Sequence, residues 1–120
     1  MRKKILIIED DPDILELLRI VFRDSGYDVI FSPVELDTGY IQVLHPDLIL
    51  LDVRLKDSSR SGAQICSDLK SNPDTEMTPV ILCSAEYDLP EIASRCHADM
   101  YLAKPYNIVS LLSQVNKYLS

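Results

Sequence analysis

The chain predicts an α/β fold, a parallel sheet covered by helices on both faces. Three observations lead there. Short runs of consecutive apolar residues, Ile5–Ile8, Leu48–Leu51 and Val80–Cys83, show no polar alternation and read as strands buried on both sides. Amphipathic stretches with helical spacing separate them. The strand-helix alternation is that of a parallel sheet, and right-handed crossovers leave few topologies.

In chain order, Ile5–Ile8 is the first strand. Asp11-Pro12-Asp13 opens a helix, with Asp11 as N-cap and Pro12 in the first turn. Its apolar stripe is expected at Ile14, Leu17, Leu18, Val21 and Phe22, and Ser25-Gly26 ends it. Asp28–Phe31 is a short second strand. Residues 34–44 read as a helix that carries Gly39 at a cost of about 1 kcal/mol relative to Ala. After the third strand, Leu48–Leu51, residues 56–62 are small and polar and form a loop. A helix over 63–70 places Ile65, Cys66 and Leu69 on one side, and Asn72-Pro73-Asp74 breaks it. Residues 79–83 form the fourth strand, 91–96 a short helix and 100–103 the fifth strand. Asn107 caps a last helix whose buried stripe is Ile108, Leu111, Leu112, Val115 and Leu119.

The 120 residues suffice for one domain around one core, without internal repeat or linker. A net charge of −7 argues against direct nucleic-acid binding, which needs a basic face. No apolar run approaches a membrane span, and the stretch after Met1-Arg2-Lys3-Lys4 is too short for a signal peptide, so the chain reads as cytoplasmic. A start directly on the first strand suggests a natural N-terminus, whereas the end at Ser120 leaves a stand-alone protein and an excised domain both open. Cys66, Cys83 and Cys96 lack the spacing of a zinc or thioredoxin-like motif. Cys66 and Cys83 are expected in the core and Cys96 partly exposed.

A parallel sheet brings the C-terminal ends of its strands to one edge, where open α/β sheets bind ligands. Here that edge collects Glu9, Asp10 and Asp11, then Asp52, Ser84 and Lys104. An anionic pocket of this kind is costly unless a cation fills it. Hard carboxylate oxygens suit Mg2+ (or Mn2+). The chemistry this set supports is phosphoryl transfer to a carboxylate, with Asp52 as nucleophile, Lys104 as a positive charge on a phosphoryl oxygen and Ser84 as a hydrogen-bond donor. Each residue also has a plainer role: Asp11 as helix cap, Ser84 as a strand-end polar group, Lys104 as a solvated lysine. Asp52 is harder to explain so, because an unpaired acid ending a buried strand is costly.

Four segments, Ile5-Leu6-Ile7-Ile8-Glu9-Asp10-Asp11, Asp47-Leu48-Ile49-Leu50-Leu51-Asp52, Pro79-Val80-Ile81-Leu82-Cys83-Ser84-Ala85 and Tyr101-Leu102-Ala103-Lys104-Pro105, together resemble the receiver domain of two-component response regulators, the CheY-like family, over essentially the whole chain. The resemblance implies a single receiver domain with a doubly wound, flavodoxin-like sheet of five parallel strands in order 2-1-3-4-5, flanked by five helices. It implies a phosphoacceptor rather than an enzyme, with Asp52 charged by a histidine kinase or histidine phosphotransfer protein. Asp10 would ligate the metal directly, Glu9 mainly through water, together with Asp52 and the backbone carbonyl of Arg54. Ser84 would be the switch hydroxyl, Lys104 the phosphate-binding lysine and Tyr101 the switch aromatic. The face made by the fourth helix, fifth strand and fifth helix would be read by a downstream protein partner. The Lys104-Pro105 bond would be cis and would orient Lys104.

The chain departs from that pattern at three places. Lys56 replaces a usual proline, and the loop after Asp52 is about two residues longer than is common. His97 stands where glycine is common. Arg54 and Glu86, two residues after Asp52 and Ser84, carry opposite charges. They are expected to pair across the mouth of the site and tune phosphoryl lifetime. Two other functions compete: a receiver-like binding module that is not phosphorylated, and a phosphohydrolase with an Asp nucleophile. The intact set Asp10, Asp52, Ser84 and Lys104 speaks against the first, and the chain has little length for the substrate pocket of the second.

Overall fold

The computed structural model describes residues 2–56 and 58–120; Met1 of the basic start and Asp57 of the 56–62 loop lie outside them. The elements run β1 (Lys4–Ile8), α1 (Pro12–Phe22), β2 (Asp28–Ser32), α2 (Thr38–Leu44), β3 (Leu48–Asp52), α3 (Gly62–Lys70), β4 (Val80–Ser84), α4 (Leu89–Arg95), β5 (Met100–Ala103) and α5 (Ile108–Leu119). All strand pairs are parallel, in order β2-β1-β3-β4-β5.

Because side chains alternate along each strand, the sheet has two apolar faces. Ile5, Ile7, Leu48, Leu50, Ile81 and Cys83 meet residues of α1 and α5 on one face. Leu6, Ile8, Ile49, Leu51, Val80 and Leu82 meet α2, α3 and α4 on the other. β3 and β4 are buried along their whole length. Each fully buried Leu or Ile contributes about 2 kcal/mol.

Four expectations need correction. Helix α2 begins at Thr38, not at residue 34, with Asp37 as N-cap accepting from Gly39 N–H at 3.1 Å. The segment before it is committed elsewhere: Ser32 Oγ donates to Val34 O, and Glu35 and the Leu36 carbonyl accept from the 59–60 segment. In α1, Leu15 rather than Leu17 joins Leu18 and Phe22 in the core, and Leu17 is 41% exposed. Apolar residues occur nearly all round this helix, so only contact with the sheet selects the face. Cys96 is buried, not partly exposed, and its carbonyl accepts from the Cys66 thiol.

α4 also starts earlier than residue 91, with Pro90 in its first turn. It ends in a Schellman turn: His97 N–H bonds Ser94 O, Ala98 N–H bonds Ala93 O, and His97 takes a φ of +63°. Among the described residues no helix is long and apolar enough to cross a membrane.

Candidate functional site

The buried run of β1 ends at Ile8, and the ladder to β2 continues one step further through Glu9 N–H to Ser32 O at 3.0 Å. That extra step keeps Glu9 inside, at 1% exposure. Asp10 is half-buried. Asp11 turns outward as the N-cap of α1, its Oδ1 accepting from Asp13 N–H at 2.9 Å. Capping is therefore its observed role.

Asp52 is the last residue of β3, paired in register with Cys83 and 6% exposed. Carboxylate oxygens of Glu9, Asp10 and Asp52 all lie within 4.8 Å of one another. Lys104 follows β5, where its N–H donates to Ser84 O at 2.9 Å. Its Nζ bonds Glu9 Oε1 and stands 3.3 Å from Asp52 Oδ1. The preceding strand places Lys104 at the right edge, and the Lys104-Pro105 peptide is cis as expected.

Three carboxylates against one ammonium leave the pocket negative. Burial, and then the adjacent Asp52, push the Glu9 carboxyl up to about 7, while Lys104 works against the rise. Burial acts to lower the Lys104 pKa, but Glu9 and Asp52 outweigh it and raise it overall. The cluster fits a divalent cation by its chemistry: hard oxygen donors from two strand ends, two of them desolvated, with excess negative charge.

Ser84 ends β4, buried, its Oγ accepting from Glu86 N–H at 3.0 Å. Arg54 Nε and Glu86 Oε1 form the expected ion pair, with the Arg54 side chain 80% exposed. Tyr101 lies on the edge strand β5 opposite Leu82 and is 43% exposed.

Four further residues shape this end of the molecule, and of these only Lys56 stood out in the sequence, as a departure from the usual proline. Lys56 N–H donates to Asp10 Oδ2 at 2.6 Å. Gly62 packs on the Asp52 main chain, where an added Cβ would lie 1.9 Å from the Asp52 carbonyl oxygen. Arg60 ties the loop after β3 to Glu35 and Asp68; no local pattern marks the pairing with Glu35, which lies 25 residues away. Tyr106 packs into the α5 side of the core beside Cys83, and burial holds its hydroxyl well above the usual range. A signal for Tyr106 did exist. It precedes the N-cap Asn107, with Leu111 at the staple position in the same apolar cluster.

Comparison with known proteins agrees with this arrangement. The family model for the response regulator receiver domain matches residues 5–116. The DNA-binding response regulator MtrA of Mycolicibacterium smegmatis is 32% identical over 99% of this chain and 51% of its own length. The DNA-binding dual master transcriptional regulator RpaA of Synechocystis is 34% identical over 97% of this chain and 48% of its own length. The chain thus spans about half the length of these curated relatives. Among solved structures, the receiver domain of a signal transduction histidine kinase from Syntrophus aciditrophicus superposes with a TM-score of 0.83 at 33% identity, covering 98% of this chain and 89% of that one. Chemotaxis protein CheY4 of Vibrio cholerae shares the fold, with a TM-score of 0.82 at 20% identity over 98% of this chain and 99% of that one. With the family model spanning nearly the whole chain and the strand order and acidic edge as described, the chain belongs to the response regulator receiver domain family of two-component systems.

Proposed function

We propose that this receiver domain accepts a phosphoryl group on Asp52 from a phosphohistidine of a histidine kinase or histidine phosphotransfer protein. The observation that carries the reading is the placement of Lys104 Nζ 3.3 Å from Asp52 Oδ1, inside a cluster of three converging carboxylates.

An Asp52 oxygen attacks phosphorus in line with the departing imidazole nitrogen; the N–P bond breaks as the O–P bond forms. Burial keeps bulk water from the acyl phosphate. Lys104 moves from its bond with Glu9 to balance the phosphoryl charge. Asp10, Glu9, Asp52 and the Arg54 carbonyl are the residues that would hold Mg2+ (or Mn2+). When bound, the cation neutralises the pocket and offsets charge on the transferring group. The domain assists its own phosphoryl transfer and loss and turns over no separate substrate, so it acts as a signalling acceptor and not an enzyme.

Ser84, at the edge of the same pocket, supplies the hydroxyl that answers the phosphoryl group. Tyr101, exposed on β5, then repacks and alters the α4–β5–α5 face that a downstream protein reads. At a net charge of −7 this segment is not itself the part that would contact DNA. A cytoplasmic place of action belongs to the same proposal.

The test is intact mass after incubation with acetyl phosphate, with Mg2+ and with EDTA, for wild type and Asp52→Ala. One added phosphoryl group in wild type with Mg2+ alone supports the reading. No gain from acetyl phosphate or from a phosphorylated kinase would leave the binding module without phosphorylation as the function.

A further inference from the structure

We propose that Arg60 is a positioning residue for the acceptor site, acting through a clamp with Glu35 and Asp68; this rests on the phosphoacceptor reading. The segment 53–62 leaves and returns to the same place. Val53 N–H bonds Cys83 O at 3.0 Å and Gly62 N–H bonds Val53 O at 2.8 Å, so both ends are fixed on the end of β3. Between them lie the two groups that matter to the pocket, the Arg54 carbonyl and the Lys56 N–H that bonds Asp10. Val53 and Leu55 hold the first part of this stretch in the core. Its distal part is instead fastened sideways.

Ser59 donates to Glu35 Oε1 through both its N–H (2.9 Å) and its hydroxyl (2.7 Å). Arg60 donates to Glu35 Oε2 at 3.1 Å, to the Leu36 carbonyl at 3.0 Å and to Asp68 Oδ2 at 2.6 Å. One planar guanidinium therefore joins the loop after β3, the segment between β2 and α2, and helix α3. Arg60 and Glu35 are both largely covered, and the bonds from Ser59 hold the Glu35 carboxyl below its usual range. A lysine presents a single ammonium and cannot span three acceptors in these directions. Losing a group that orients a metal ligand from behind typically costs about 10- to 100-fold in metal affinity.

The sign of the effect separates positioning from simple charge. Removing a cation near an anionic pocket would by Coulomb attraction tighten Mg2+ binding, whereas loosening the loop would weaken it. Mg2+ affinity is measured by amide NMR titration for wild type, Arg60→Ala, Arg60→Lys and Glu35→Gln, with urea unfolding and hydrogen exchange alongside. The expected result is a roughly tenfold weaker Mg2+ affinity for Arg60→Ala. Lys should fail to restore it, and Glu35→Gln should shift it in the same direction. Protection of the Lys56 amide should fall while β3 and β4 amides keep theirs, and saturating Mg2+ should restore phosphoryl uptake from acetyl phosphate. Unchanged or tighter Mg2+ binding in Arg60→Ala, with folding intact, would overturn the inference. A wild type that binds no Mg2+ would instead overturn the phosphoacceptor reading on which it stands.

Discussion

Gly62 and Asp52 are in main-chain contact: the space a Cβ on Gly62 would need is filled by the Asp52 carbonyl oxygen, 1.9 Å from its ideal position. The first residue of α3 is thus seated on the residue that the site depends on. Its role is close approach, since Gly62 N–H also bonds Val53 O at 2.8 Å. Gly62→Ala must push α3 off the end of β3. A loss of about 3 kcal/mol is expected, the upper part of the range for overpacking. Urea unfolding measures it, and a loss under half that size would mean that α3 yields freely.

Glu9 makes the stability of the metal-free protein depend on pH. Its folded pKa of about 7 lies above the ordinary value of 4.5, chiefly through burial. The unfolded chain therefore ionises first, and the folded state loses ground as pH rises from about 4.5 to about 7. The drop is on the order of 3 kcal/mol. Urea midpoints taken in EDTA across that interval should fall for wild type and stay flatter for Glu9→Gln.

His97 holds the left-handed position that closes α4, at φ +63°. A side chain there costs about 1 kcal/mol, which glycine avoids, with part of the gain returned as unfolded-chain entropy. His97→Gly should raise unfolding stability by about 0.5 to 1 kcal/mol without altering Mg2+ binding. A destabilised variant would show that the imidazole makes a compensating contact.

Arg54 and Glu86 meet at the mouth of the site. We expect the pair to restrict the water that hydrolyses the acyl phosphate. Arg54→Ala should shorten its lifetime about fivefold, equivalent to about 1 kcal/mol of barrier. Folding stability should change by only ~0–1 kcal/mol, because the Arg54 side chain is exposed. Loss of label from phosphorylated protein gives the rate, and an unchanged rate removes this role.

Local pattern was enough for the strands, for the caps at Asp11 and Asn107 and for the strand-end acids, because each of these is written in neighbouring residues. Apolar runs such as Leu48–Leu51 have no alternative to burial on both faces, and their ends carry Asp52 and Ser84 to one edge by topology alone. The resemblance then supplied the strand order and the cis bond at Pro105. Other features depend on partners distant along the chain. Residues 34–37 have helix-compatible composition, yet Arg60 and Ser59 draw Glu35 and the Leu36 carbonyl away, and α2 waits until Thr38. Leu17 and Leu15 are equally apolar, and only docking of α1 on the sheet decides that Leu15 goes inside. Cys96 is buried because the turn at His97 folds it back against α3 and the Cys66 thiol. Pairing energies between residues tens of positions apart outweigh local propensity at such points, and a linear pattern does not carry them.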